Sequence, residues 1–143
     1  NGRGPVENYS DRKLSQNVGI YRASADQLFY PYIRPQETGT MSDLRWWQQT
    51  DSDGFGFRLE SDKLFSASAL HYDLLTLDEG MEKHQRHPQS LERSKYTNMF
   101  IDLVQSGVGG VDSWGGDGRA RKGHRVEYKD YTFSFRISPK TLY

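Results

Sequence analysis

Asp112, Ser113 and Trp114 follow glycines at 107, 109 and 110 and are closed off by Gly115. Glycine lets backbone turn through positive φ or approach another group closely. A loop of this kind can present the Trp114 indole as a flat apolar face with one N–H donor. That face suits the C–H side of a sugar ring. A tryptophan after a glycine turn is more often a core plug, and on these residues alone that is the favoured reading. The run matches neither the dinucleotide nor the phosphate-loop pattern, because no G-K-[ST] and no sixth-position glycine follows.

Other residues could do chemistry. Glu7, Asp11, Glu37 and Asp43 are the candidates for a local acid pair. The favoured reading is that Glu7, Asp11 and Glu37 anchor loops, through backbone N–H groups and Arg12, Arg34 or Arg45. His84 and His87 stand three apart, a spacing that could place two ligands on one helical face. No third ligand is apparent and Pro88 follows at once, so His87 reads as a hydrogen-bonded structural histidine and no metal site is expected. His71 falls within a strand pattern, where a neighbour should satisfy it. Asp51-Ser52-Asp53-Gly54 is like the start of a calcium loop but lacks the later ligands. It reads as a hairpin turn. No Ser-His-Asp arrangement stands out.

The elements that must position these groups follow from a period of two. Phe55, Phe57 and Leu59 alternate with smaller or polar residues. So do Phe65, Ala67 and Ala69, and Tyr131, Phe133, Phe135 and Ile137, while Met99, Ile101 and Leu103 alternate with Phe100, Asp102 and Val104. Such alternation predicts antiparallel strands with one buried face. Residues 45–50 predict a further strand, ending at the turn signal of 51–54. One short helix is expected from Thr76, where Thr76 and Glu79 have capping-box spacing, running to the stop at Pro88. The first 40 residues hold many breakers and few helix signals. They read as irregular loop with short strands. The fold class is all-β, an antiparallel β-sandwich with one short helix.

Composition sets the outer limits. At 143 residues the chain, 1–143, is one domain or part of one. Lys+Arg and Asp+Glu both number 19, which gives no basic excess for nucleic acid or an anionic membrane. Arg119-Ala120-Arg121-Lys122 reads as a solvated loop. Without cysteine, disulfide and thiolate chemistry are out, which fits cytosol and periplasm alike. No apolar run approaches the roughly 20 residues of a membrane helix. Aromatics are frequent at 13% in a chain of mean hydropathy −0.86, as expected of sheets with polar outer faces.

Longer strings carry a resemblance. In order they are Gly2-Arg3-Gly4-Pro5-Val6-Glu7-Asn8-Tyr9-Ser10-Asp11-Arg12, Val18-Gly19-Ile20-Tyr21, Tyr32-Ile33-Arg34-Pro35-Gln36-Glu37-Thr38-Gly39 and Asp43-Leu44-Arg45-Trp46. Ser68-Ala69-Leu70-His71-Tyr72, His87 with Leu91, and Ile101-Asp102 follow, before the Gly-x-Gly-Gly-x-Asp-Ser-Trp loop. From Gly2 to about Pro139 the chain resembles the C-terminal small-chain domain of glycoside hydrolase family two β-galactosidases. The resemblance implies a galactose-mutarotase-like supersandwich, of which this chain looks like the C-terminal half. The missing strands would leave an apolar face or edge uncovered, so self-association is expected.

The resemblance also implies a function. The parent would be a glycosidase that cleaves terminal β-D-galactosides with retention, using two carboxylates about 5–5.5 Å apart. Both would lie in a separate barrel, so this chain alone should be inactive and carries no catalytic residue. Trp114 would line the substrate site, with Asp112 and Ser113 bracing its turn. No cofactor is expected here; cations would belong to the parent's barrel. The partners implied are the rest of the parent chain and the β-galactoside. Thr40-Met41-Ser42 departs from the family's usual Asn-Arg-Thr at that loop. Two other readings are a stand-alone carbohydrate-binding module and a purely structural assembly module.

Overall fold

The longest strand of the molecule runs from Gly56 to Leu70 and organises the rest. The computed structural model describes residues 1–78, 86–109 and 118–140. In chain order the elements are β1 (Gly2–Gly4), β2 (Asn17–Gly19), α1 (Ala25–Leu28), β3 (Met41–Thr50), β4 (Gly56–Leu70), α2 (Leu74–Leu77), β5 (Asn98–Asp102) and β6 (Arg136–Lys140). β3 pairs antiparallel with β4 along one side. β5 and β6 pair antiparallel with the two ends of β4 on its other side. β1 and β2 form a small antiparallel sheet of their own. The architecture is therefore all-β and antiparallel with few short helices, as a β-sandwich requires.

Residues 57–59 and 65–69 of the two alternating runs lie on the same strand, whereas Phe55 precedes it and is exposed. Leu59, Phe65, Ala67 and Ala69 are all buried. The strand is long because a bulge divides it. Between Leu44 and Trp46, β3 advances two residues while its partner β4 retreats from Phe65 to Glu60. The surplus residues of β4 loop outward, so Leu64 is 48% exposed although its neighbour Phe65 is 2% exposed. Extra residues on one strand do this by leaving ladder positions unpaired and bending the strand. The bulge is stitched to the next segment: Ser61 Oγ donates to the Ser134 carbonyl at 2.8 Å and Lys63 Nζ to the Thr132 carbonyl at 3.0 Å.

A second, opposite irregularity lies between Met41 and Leu44, on β3. There Asp43 has φ 51°, a conformation aspartate tolerates better than most residues. Buried Leu44, Leu59, Phe65 and Ala67 form one apolar cluster. Leu28, Ala69, Leu70 and Leu77 form another. Met41 and Trp47 pack against both and join them.

The turn at 51–54 forms as expected. Asp51 Oδ1 accepts from Asp53 N at 2.9 Å and from Phe55 N at 3.0 Å, closing the β3–β4 hairpin. The carboxylate is used in the turn itself rather than in a calcium loop.

Three expectations need correction. The helix predicted from Thr76 starts earlier, since α2 covers Leu74–Leu77 with Asp73 at its N-cap and Asp78 extended; the rest of the predicted run, 79–85, lies outside the described residues. Thr76 lies inside the turn, so it cannot serve as the cap; Glu79 lies outside the described residues. A second helical turn, α1, stands in the region read as irregular. Its cause is local. Ser24 Oγ accepts from Gln27 N at 3.2 Å and Gln27 Oε1 accepts from Ser24 N at 2.8 Å, a reciprocal capping box. The single short helix expected is thus two among the described residues. Finally, the alternation from Tyr131 becomes strand only at Arg136. Phe133 alone turns inward, its ring 6.2 Å from that of Phe65. Phe135 and Ile137 stay exposed.

The burial difference across the bulge makes a direct test. Phe65→Ala should cost about 3–5 kcal/mol of unfolding free energy. Leu64→Ala, one residue away, should change it by less than about 0.5 kcal/mol. Urea denaturation of both variants reads the contrast.

Candidate functional site

The N-terminal string that opens the chain folds around one carboxylate. Glu7 is buried, and each of its oxygens accepts twice. Oε1 accepts from Arg12 Nη2 at 2.8 Å and from the Tyr32 hydroxyl. Oε2 accepts from Thr38 Oγ1 at 3.0 Å and from Gly39 N at 2.7 Å. A charged acceptor removed from water needs such donors, since an unpaired buried charge is strongly destabilising. Gly39 is required at its place twice over. Its φ is 77°, and a Cβ there would stand 2.6 Å from the Leu28 carbonyl oxygen.

Next to Glu7, Asn8 is fully buried. Its backbone N–H donates to Thr40 O at 2.7 Å, its Nδ2 to Arg3 O and Val6 O, and its Oδ1 accepts from Ser42 Oγ. Residues 40–42 therefore have a defined role: Thr40 and Ser42 tie the start of β3 to the N-terminal string. Tyr9 is also buried. Burial first, then the Glu37 carboxylate it hydrogen-bonds and the charge of Glu7, raise its pKa far above the ordinary phenol value. Burial and the hydrogen bond to Glu7 likewise raise that of Tyr32. Both phenols thus stay protonated as donors.

The four carboxylates offered as an acid pair all take anchoring roles. Glu37 accepts from Thr40 Oγ1. Asp43 receives Arg3 Nε at 2.7 Å and Lys13 Nζ at 2.8 Å. Burial alone would raise the Asp43 pKa, but the bonds from Lys13 and Arg3 outweigh it and hold the carboxyl below its usual range. Of the arginines expected as partners, Arg12 meets Glu7, whereas Arg45 reaches only the Asp43 carbonyl, at 3.2 Å.

Asp11 carries the network to the glycine loop. Its Oδ2 accepts from Gly109 N at 2.6 Å. Gly107 N donates to His124 O at 2.7 Å. A Cβ on Gly107 would stand 2.7 Å from Asp11 Cγ and 2.9 Å from His124 Cβ, so glycine here serves close approach. The stem of the loop, 107–109, is thereby held between two segments far from it in sequence. Asp112, Ser113 and Trp114 themselves lie outside the described residues, as does His84.

Of the histidines within the described residues, His71 meets neighbours through its ring, whereas the bonds shown for His87 and His124 are through the backbone. The His87 carbonyl accepts from Ser90 N at 3.0 Å and from Ser90 Oγ at 2.8 Å, where Pro88 opens a 3-10 turn. His71 Nδ1 lies 3.4 Å from Thr97 Oγ1 and 3.5 Å from Tyr96 O, and its Nε2 lies 4.0 Å from Asp26 Oδ1. Asp26 is itself bound by Arg93 at 2.7 Å. Among the described residues, no three His, Cys, Asp or Glu side chains group to hold a metal ion. Sequence reading missed Tyr32, Thr38 and Gly39 as ligands of Glu7. The only local signal was the Thr38-Gly39 pair, a donor beside a residue free to turn.

The whole chain can be set beside known proteins. The family model for the β-galactosidase small chain matches residues 1–137. A β-galactosidase of Priestia megaterium (strain DSM 319 / IMG 1521) is 32% identical over 139 residues, which is 96% of this chain and 13% of that protein. A β-galactosidase of Lactobacillus delbrueckii subsp. bulgaricus is 37% identical over 115 residues, 80% of this chain and 11% of the relative. BgaC, a β-galactosidase of Bifidobacterium adolescentis (strain ATCC 15703 / DSM 20083 / NCTC 11814 / E194a), is 35% identical over 116 residues, 79% and 10%. The chain therefore spans only 10–13% of the length of these relatives.

The Asp43 pair gives a pH signature. A carboxyl whose folded pKa lies below its unfolded value, near 3.8, adds stability that is full above that value. The contribution is lost as pH falls through the folded pKa. Asp43→Asn keeps a residue that tolerates the positive φ but loses the charge. The gap in melting temperature between the parent sequence and Asp43→Asn should be constant above about pH 5 and close below about pH 4. Thermal melts from pH 3 to pH 7 check this.

Proposed function

This chain belongs to the β-galactosidase small-chain family, and on that premise we propose that it is the C-terminal part of a β-galactosidase. The longer protein cleaves terminal β-D-galactosides with retention, through two carboxylates carried by its barrel. The present chain contributes scaffold and one wall of the substrate site. The observation that carries this reading is the anchored stem at 107–109. Asp11 and His124 hold the backbone that leads directly into Asp112-Ser113-Trp114.

The chemistry asked of that loop is positioning. An indole offers a broad apolar face to the C–H side of a galactoside, and its N–H can donate to a hydroxyl. Asp112 and Ser113 brace the turn that presents it. None of these groups moves a proton at the glycosidic bond. Their effect is to hold the sugar where the barrel's carboxylates reach it. The carboxylates of the N-terminal network support the same division of labour. Glu7, Asp11, Glu37 and Asp43 are each engaged by donors of this chain. Exposed Phe135, Ile137 and Leu64 support a surface that covers itself against the remainder of the parent or against a second copy.

Two outcomes are expected. The isolated chain should not turn over a chromogenic β-galactoside, and it should sediment as more than a monomer at micromolar concentration. Turnover that survives replacement of its Glu and Asp residues would overturn the assignment of catalysis to the barrel. A compact monomer would overturn the self-association. In the full-length protein, Trp114→Ala should raise KM for lactose on the order of tenfold, the worth of one stacked ring. Its melting temperature should barely move. A large fall in melting temperature with unchanged KM and kcat would make Trp114 a core residue and sink the substrate-site reading.

A further inference from the structure

β6 begins at Arg136, opposite Glu60 of β4. Just outside that pair the two segments stay joined by side chains instead of a ladder. Ser61 Oγ donates to the Ser134 carbonyl at 2.8 Å, and Lys63 Nζ to the Thr132 carbonyl at 3.0 Å. A cleft of about 360 Å³ opens here, lined by Glu60, Ser61, Asp62, Ser134, Phe135 and Arg136. Phe135 is the one apolar residue among them.

The walls are supported from behind. The Phe135 ring lies 5.4 Å from that of Phe133, and Phe133 lies 6.2 Å from buried Phe65, so a column of rings runs out from the core. Phe135 at its end is 44% exposed. On β4, Arg58 binds Glu60 Oε1 through Nε and Nη2, both at 2.8 Å, and its guanidinium carbon lies 4.4 Å from the centre of the Trp46 ring. Arg58 thus holds the carboxylate that stands across the ladder from Arg136. Arg136 is exposed and, among the described residues, has no carboxylate within ion-pair distance. Asp62 is exposed too, and only Ser61 Oγ approaches it, at 3.4 Å.

The charges of this wall narrow the choice of ligand. An anion would face Glu60 and Asp62, and a cation would face Arg136. An apolar molecule would take water from all of them and return no hydrogen bond. A neutral polyol suits every group. Its hydroxyls donate to carboxylates and accept from a guanidinium, as charge-assisted bonds of the stronger kind. The C–H face of a pyranose ring can lie on an aromatic ring.

We propose that the cleft is a binding site for a neutral saccharide, with Phe135 as the platform and Glu60, Asp62 and Arg136 binding the sugar hydroxyls. Phe135 then takes its cover from the sugar, and Ile137 and Leu64 remain for a protein contact. None of the lining residues belongs to the glycine-rich loop, so the site stands or falls apart from Trp114.

The test is electrophoresis of the full-length protein through native gels that contain a soluble uncharged β-galactan or, separately, an uncharged β-glucan. At least one polymer should retard it. Phe135→Ala, Arg136→Ala and Asp62→Ala should each weaken the affinity read from that retardation about tenfold. Ile137→Ala, exposed on β6 but outside the lining, should leave it unchanged. Melting temperatures show that each variant is folded, and Asp62→Ala, on an exposed side chain, keeps the test open if Phe135→Ala is not. Absence of retardation by both polymers overturns the proposal. So does retardation that survives all three lining substitutions, or that Ile137→Ala weakens as much as they do. Stronger retardation by a polygalacturonate overturns the assignment to an uncharged sugar. A protein that binds through the cleft but cleaves no β-galactoside would sink the enzymatic reading and leave this site standing.

Discussion

The molecule is organised around a single desolvated carboxylate. Glu7 accepts four hydrogen bonds, from Arg12, Tyr32, Thr38 and the backbone of Gly39. Three separate stretches of chain therefore meet at one side chain. Hydrogen bonds to a charged group are worth about 1.5–3 kcal/mol each in proteins, and a lost partner leaves the remaining charge buried. None of the three stretches has regular structure enough to hold itself. The stretch from 29 to 40, in particular, contains neither helix nor strand, and its order comes from what Glu7, Asn8 and Tyr9 impose on it.

That order is passed on in two directions. Through Asn8, which bonds Thr40 and Ser42, it reaches the start of β3. There the bulge at Asp43 is caught by Arg3 and Lys13, so the small sheet of β1 and β2 is fastened to the large one. Asn1 completes the join: its N donates to the Trp46 carbonyl and its carbonyl accepts from Arg45 N, both at 2.9 Å. In the other direction Asp11 reaches Gly109, 98 residues away. A polar network this far from local can be rigid because its members are mostly satisfied and packed behind an apolar sheet face.

β4 supplies that face. Its two buried halves lie on either side of an outward bulge, and each half has its own partner on the far edge, β5 or β6. The bulge lets one strand serve two apolar clusters whose geometry a straight strand could not satisfy together. Met41 and Trp47 bridge the clusters, and the Trp47 indole keeps its donor engaged with Gln49 Oε1 at 3.2 Å.

What the sequence by itself determined is what acts over a few residues. The alternation of Phe57, Leu59, Phe65, Ala67 and Ala69 set the buried face of β4, and Asp51 to Gly54 set the hairpin, because side-chain period and turn chemistry are local. The Ser24–Gln27 capping box is equally local, but the breakers around it led the region to be read as irregular. The long strings around Glu7 and Trp114 carried the family. Tertiary structure decided the rest. Alternation from Tyr131 to Ile137 did not become a buried face, since of these residues only Phe133 packs against the buried cluster. The turn begins after Asp73 rather than at Thr76, and its Leu77 packs in the cluster with Leu28, Ala69 and Leu70. That Glu7 needs Tyr32, Thr38 and Gly39, and that Asp11 holds Gly109, could not be read from spacing. Such bonds join residues whose separation in sequence bears no relation to their distance in space, and burial alone makes them necessary.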